Sequence, residues 1–486
     1  MSSSAAPSPE AEATSATREL VRALSLRDAI ALVLTVIGTG VFLKTAPMAQ
    51  LVGSPSKVLL VWLAAGILSL AGALTYAELG AMIPEAGGDY VFLREAYGGL
   101  PAFLFGWTNL VVIATGGVAA VATALASFLS SFVSLDAVWA TRDFHLLGQV
   151  VHWRLGIQQL VAVAVIILFS WINARGVALG ARVQWAATVA KLGGIGIIVL
   201  GAFLLSRTGS WQHLRAPVPG TVAGMSAFGA AMLAALWAYQ GWANVAMVAG
   251  EIEKPERNVP RALIFGMLIV IVVYLVTNLA YFYALPFNEV LTSNSTAYRD
   301  ALPVAAKAAR TFFRYGPQLV SLAFIISVIA TLNGIILMNA RVPFAMARDG
   351  LFFRRLGDLS PTTNAPVIAI WVQGIWASVL ALSGTFDQIT TSVMFALWIF
   401  FALVGSSLFV LRHKLPVAPR RYRTPGYPVV PILFVLVAIW LVINSVTAYP
   451  VESAAGLFLI ALGLPFFFFF RRTGWLTRAR MKERPL

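Results

Sequence analysis

Again and again along this chain, charge all but disappears for stretches long enough to cross a bilayer. These runs lie at 29–52, 58–83, 101–133, 156–173, 177–206, 224–249, 262–286, 317–345, 365–384, 387–411, 428–447 and 454–470. A hydrocarbon core of about 30 Å is crossed by roughly 20 apolar helical residues. Lipid offers no water to satisfy backbone polar groups, so a spanning segment of this kind must be a helix. The expected fold is an all-α integral membrane protein of about twelve transmembrane helices, numbered here as spans 1–12. Composition agrees: 59% of residues are hydrophobic and 11% charged, against about 45–50% and about 25% in soluble domains.

The formal net charge of +15 would suggest nucleic acid in a soluble protein, but its placement argues otherwise. With a cytoplasmic N-terminus, 24 of the 35 Lys and Arg fall in inside segments, one (Lys191) falls within a span, and ten are left for the outside. The positive-inside rule then puts both termini in the cytoplasm of a multi-pass protein of the plasma or inner membrane. The first residues, rich in Ser, Ala and Pro, read as a disordered tail and not as a signal peptide. The chain has no Cys, which rules out thiolate chemistry, Cys-ligated metal and any disulfide-linked ancillary subunit. Its four His (His145, His152, His213, His413) lie outside the spans or at their ends, without ligand spacing. Neither an enzyme nor a cofactor or metal site is expected, and a monomer or weak homo-oligomer is.

Spans 1–5 and 6–10 share a rhythm. "PEAGGDYVFLREAYGGLP" joins the second and third spans of the first half, inside. "STAYRDALPVAAKAARTFFRYGP" does so in the second half, outside. Five spans per half force opposite orientations, the inverted-repeat construction of secondary transporters. The expected organisation is a cytoplasmic tail at 1–24 and a ten-helix core at 25–411, with repeats at about 25–206 and 224–411. Helices 11 and 12 follow at 412–470, then a basic cytoplasmic tail at 471–486.

The first span of each half carries weak helix sequence near its middle: "IGTGV" in span 1, and "LWAYQGWANV" with Gln240 and Gly241 in span 6. Packing notches for a neighbouring helix are the bland explanation. Gly38 and Gly40, however, point about 200° apart on a 3.6-residue helix and suit no single notch. Paired interruptions instead mark a substrate site at the midplane. Unwinding would expose amides at the start of the second half-helix, which suit a carboxylate. Carbonyls at the end of the first half-helix, and near Trp237, Ala238 and Tyr239, would suit an ammonium. The predicted binding set is Ile37, Gly38, Thr39, Gly40 and Val41 with Trp237, Ala238, Tyr239, Gln240 and Gly241. An amino acid matches it.

Those residues, with "TYAELGAMIPEAGGDYVFLREAYGGLPAFLFGW", "GEIEKPERNVPRAL", "MARDGLF" and "RTPGYPVVP", resemble the amino acid–polyamine–organocation superfamily, in particular its L-type amino acid transporter branch. The resemblance implies a LeuT-type fold with broken helices 1 and 6, alternating access and an amino-acid substrate. Many relatives have Gly or Asp where this chain has Gln240. Animal members of the branch pair with a glycoprotein through a Cys that this chain lacks, so it is expected to work alone.

Lys191, in "TVAKLGGIG" of span 5, stands 16 residues from Arg175 and from Arg207, about 24 Å along a helix. That is too far to snorkel. An ionisable group inside a membrane is a functional hypothesis by default. By the resemblance, its ammonium replaces the structural sodium of sodium-coupled relatives and bridges span 1 to span 8 near Ser327 or Ala330. It could also exchange a proton. Glu78, Glu85, Asp89, Glu251, Glu253, Asp349 and Asp387 fall at or beyond span ends, so no carboxylate stands ready for a cationic substrate. Sodium-independent transport of neutral L-amino acids, by exchange or proton-coupled symport, is the leading reading. A polyamine or basic amino acid permease is one alternative. An amino-acid-binding membrane sensor is the other.

Overall fold

The computed structural model describes residues 20–472, apart from 131, 136, 147–148, 216–223, 296, 299–300, 384–385 and 449. The expected tails therefore lie almost wholly outside the described residues. Ten helices among them are long and apolar enough to cross a membrane. Two of the twelve expected spans fall short of that length for separate reasons. Span 6 is split into Met225–Ala238 and Trp242–Glu251, and span 9 is a single helix of 17 residues, Val367–Ser383. Among the described residues the fold is all-α apart from an isolated bridge between Leu24 and Ile252 and one hairpin of β1 (Val138–Leu146) and β2 (Gln149–Gly156) between spans 3 and 4. Trp153 on β2 anchors the hairpin by donating from its indole nitrogen to the Leu382 carbonyl at 2.8 Å.

Local sequence sets the helix starts. Ser25 and Asp28 form a reciprocal capping box that opens span 1. Ser54 caps span 2 (Pro55–Met82), with Pro55 in the first turn, where its missing N–H costs nothing. The connection between spans 2 and 3 forms the helix Asp89–Tyr97. Its counterpart in the second half forms Val304–Arg310. Span 3 (Gly99–Leu129) holds a widened turn at Asn109–Ile113, where the Thr115 hydroxyl reaches back five residues to the Leu110 carbonyl.

The end of the bundle from which span 1 starts is sealed. Leu24 pairs with the strand-like segment after span 6: its amide donates to the Glu251 carbonyl, and its carbonyl accepts from the Glu253 amide, both at 2.9 Å. Glu251 and Arg341 form a two-pronged ion pair at 2.6 and 2.9 Å, each 1% exposed. It joins span 6 to the end of span 8 (Gly316–Asn339, continuing as Arg341–Arg348). Arg94 bonds Asp349 and Glu85, fastening the Asp89–Tyr97 helix to span 8. Glu78 at the end of span 2 takes both prongs of Arg412 and the Thr424 amide. Each charge buried here is matched, as low dielectric demands.

Asp89 is the exception. Its carboxylate is buried and accepts one hydrogen bond from the Tyr76 hydroxyl at 3.1 Å, while its other oxygen has no partner. Burial pushes its pKa from 3.8 up to about 7, against the pull of Tyr76 and of a backbone amide. A folded value above the unfolded one means that stability is full below the ordinary Asp range and is lost as pH rises toward 7. Thermal stability of the purified protein should therefore decline between about pH 4 and 7 and level off above that. Asp89→Asn should flatten this dependence and melt higher than the parent at pH 8. Parallel melting curves for the two proteins across that range would exclude the assignment.

Candidate substrate and coupling site

Span 1 runs as a helix over Leu26–Val33, tightens at Leu34–Val36 and leaves helical geometry at Ile37. It restarts at Gly40–Leu43 and continues as Thr45–Val52. The interruption falls on the glycines singled out in the sequence. Span 6 stops at Ala238 and restarts at Trp242, and Gly241 between them has φ +117°, where a side chain would be strained. The two breaks touch. A Cβ on Gly40 would lie 2.3 Å from the Ala238 Cβ, so only glycine lets the chains approach this closely.

Breaking span 1 orphans its carbonyls, and side chains from three other spans satisfy four of them in succession. The Lys191 ammonium, fully buried in span 5 (Val177–Leu205), donates to the Leu34 and Ile37 carbonyls at 2.8 Å each. Ser327 of span 8 also donates to Ile37 at 2.8 Å, and Thr331 donates to the Thr35 carbonyl at 2.8 Å. The Tyr274 hydroxyl of span 7 (Pro255–Ala284) lies 2.8 Å from the Val36 carbonyl and 2.7 Å from that of Ala238. With one proton to give, it bridges both breaks. Lys191 thus reaches span 1 directly and meets span 8 through the shared Ile37 carbonyl.

This arrangement changes one expectation. The carbonyls ending the first half of span 1 were expected to face a substrate ammonium, but those of residues 34–37 are taken by the protein's own donors. The opposite pole is less fully engaged: the Phe42 and Leu43 amides donate to the Thr39 carbonyl, while those of Gly40 and Val41, first in the restarted helix, find no carbonyl among the described residues.

The other predicted residues divide. Ile37, Gly38, Gly40, Val41, Ala238 and Gly241 are buried, and Thr39, Trp237 and Gln240 are half-buried. Tyr239 turns its ring away, donating to the Trp62 carbonyl of span 2 at 3.1 Å and packing on Trp62 and Tyr274. Three participants escaped the sequence reading. Tyr274 and Thr331 sit among apolar neighbours, and an isolated hydroxyl in a membrane helix was the available signal. The third is Lys44, one of the ten cations assigned to the outside. It lies one turn beyond Gly40, half-buried, with its ammonium 5.8 Å from the Trp237 ring centroid. Among the described residues no group of three His, Asp or Glu is placed to hold a metal ion.

Membrane-crossing helices with two touching interruptions, lined by backbone poles and polar side chains, define a multi-pass membrane transporter. The chain belongs to the amino acid permease family: the profile described as "Amino acid permease" matches residues 24–469. Similar proteins include the serine/threonine exchanger SteT of Bacillus subtilis (strain 168), 31% identical over 92% of this chain and 97% of its own length. The b(0,+)-type amino acid transporter 1 of Mus musculus is 29% identical over 95% and 91%. The cystine/glutamate transporter of Homo sapiens is 27% identical over 93% and 86%. The protein is an amino acid transporter of the amino acid–polyamine–organocation superfamily, and not an enzyme.

Even one methyl group at Gly40 must push the two breaks apart. Gly40→Ala should weaken substrate binding by at least about tenfold, and Gly40→Leu should abolish it, while both proteins still insert. Substrate-induced thermal shifts of the purified variants measure this. An unchanged affinity in Gly40→Leu would end the claim.

Proposed function

We propose that the protein moves neutral L-amino acids across the membrane without sodium, by alternating access and in exchange mode. The observation that carries the sodium-independent part is the Lys191 ammonium, seated where spans 1, 5 and 8 meet and satisfying the Leu34 and Ile37 carbonyls. A monovalent cation bound there would make the same contacts; a tethered one makes a dissolved one unnecessary. Neutral substrates follow from charge. The break segments 34–44 and 237–244 contain no Asp or Glu and one Lys, Lys44. Lys191 adds a second positive charge. A cationic side chain or a polyamine would meet repulsion without a counter-charge. Exchange is favoured because the most similar of the relatives named above is itself described as an exchanger.

In this reading the substrate carboxylate meets the amides around Gly38–Val41. Its ammonium meets carbonyls of the span 6 turn near Tyr239, and Trp237 covers it. Spans 1–5 and 6–10 act as inverted repeats, with both termini cytoplasmic by the distribution of Lys and Arg. The sealed end is then the inner one. Because no Cys is present, no disulfide-linked subunit is needed or possible, and the protein works as a monomer or weak homo-oligomer.

Uptake by proteoliposomes preloaded with amino acid should be unaltered when external sodium is replaced by choline. Lys191→Ala should cut it at least about tenfold, since two buried carbonyls lose a charged donor. Lys191→Arg should rescue poorly because the guanidinium is larger and planar. Strict sodium dependence of the parent protein would overturn the assignment.

A further inference from the structure

Span 12 ends on "GLPFFFFFRR", the helix Gly463–Arg472. Five consecutive Phe cannot all face one side of a helix. Phe467 and Phe470 are buried, whereas Phe466, Phe468 and Phe469 are 44–57% exposed. The buried pair, three residues apart on one face, packs on Phe103 of span 3 with ring centroids at 5.5 and 6.2 Å. Phe470 also meets Phe352 and Phe353, at 5.4 and 5.1 Å. Those two rings belong to the segment that follows span 8, more than a hundred residues away in the chain. Phe353 is itself 52% exposed.

Each side of this contact is followed directly by two arginines: Arg354 and Arg355 after Phe353, Arg471 and Arg472 after Phe470. The short helix Arg354–Gly357 buries Leu356 and Gly357 and leaves its two arginines exposed. Arg471 and Arg472 are exposed as well. None of the four makes an ion pair among the described residues, whereas Arg94, Arg341 and Arg412 at the same end each hold a carboxylate. Asp349 and Glu95 are taken by Arg94, so Asp358, three residues beyond Arg355 and exposed, is the acid the chain itself offers nearby. Arginines that close a span are ordinarily interface anchors. Anchoring explains one pair, and leaves unexplained why ring contacts bring a second pair from a distant segment beside it.

We propose that the end of span 12 and the segment after span 8 together form a site for an anionic phospholipid of the inner leaflet. Its phosphate is held by Arg354, Arg355, Arg471 and Arg472, and its chains lie on the exposed Phe rings. Aromatic rings favour headgroup depth, and clustered Lys or Arg beside a span attract anionic lipid. The guanidinium fork matches phosphate oxygens two at a time. A lipid bound there fastens span 12 to the segment that begins just after Asp349, the residue paired with Arg94. It should therefore stabilise the sealed end. The choice of leaflet rests on the proposed orientation of that end; the site itself does not.

Purified protein in mixed micelles, titrated with phosphatidylglycerol or phosphatidylcholine, tests this by native mass spectrometry and thermal melting. Phosphatidylglycerol should be retained at least about fivefold more strongly and should raise the melting temperature. Arg354→Gln with Arg355→Gln, and Arg471→Gln with Arg472→Gln, should each lower that retention at least about fivefold. Arg257→Gln with Arg261→Gln removes as much charge from exposed positions on span 7 and should change it little. All six side chains are exposed, so the variants should fold as the parent does. Equal retention of the two lipids would overturn the proposal, as would an equal loss in the span 7 variant, which is the mark of diffuse charge. Micelles have no leaflets, so a reversed orientation, read separately by protease access in sealed vesicles, would sink the topology and the choice of leaflet without touching this result.

Discussion

The carbonyls of Thr35, Val36 and Ile37 lose the amides that a continuous helix would have supplied, and that of Leu34 keeps only the short bond from the Ile37 amide. In lipid there is no water to fall back on. Spans 5, 7 and 8 provide those partners through Lys191, Tyr274, Ser327 and Thr331. Much of the central architecture can be read as the consequence. Span 5 approaches span 1 at Lys191. Span 7 places Tyr274 between the two breaks, and its Asn278 accepts from the Thr45 hydroxyl at 2.6 Å to hold the second half of span 1. Span 8 turns a hydroxyl stripe toward residues 35–37.

The two kinds of polar contact in the molecule are divided by position. Around the breaks, satisfaction comes from neutral or single-charge donors on carbonyls, each bond modest on its own. At the end where span 1 starts, it comes from ion pairs: Glu251 with Arg341, Arg94 with Asp349, Glu78 with Arg412. Separating a buried ion pair is expensive unless water enters to solvate both members. An opening of that end must therefore hydrate it, and the site becomes wet from that side only when the closure has already parted. In the proposed alternating-access reading, these charges are what an opening of that end has to hydrate.

Much of this was legible in the sequence, for identifiable reasons. Charge-free runs located the spans because lipid excludes charge, and Gly38, Gly40, Gln240 and Gly241 located the breaks because weak helix formers recur near the middle of the first span of each half. Lys191 stood out because nothing apolar justifies an ammonium so far from both ends of its helix. The hairpin of Val138–Gly156 fell between two expected spans and went unread, since its alternation is short and carries no strong turn signal. Lys44 was passed over because it was counted with the outside cations and given no further weight. The pairing of residues 34–37 with four particular side chains was out of reach, since it depends on how spans 5, 7 and 8 rotate about their axes, and no single-span periodicity fixes that.

The same pairing bears on the proposed recognition of a substrate. A sequence reading distributes recognition symmetrically, with amides on one side of the break and carbonyls on the other. In the folded protein the carbonyls of residues 34–37 are already engaged, so in the proposed reading backbone recognition falls to the amides of the restarted helix and to the span 6 turn. Structural satisfaction and ligand recognition draw on the same supply of polar atoms, and an atom committed to one is withdrawn from the other. Thr331 and Thr39 illustrate the division: the same residue type, on facing elements, with one hydroxyl bound to the Thr35 carbonyl and the other left open. Chemistry alone could not have told them apart. Their assignment follows from which carbonyls the break exposes and which spans lie close enough to answer.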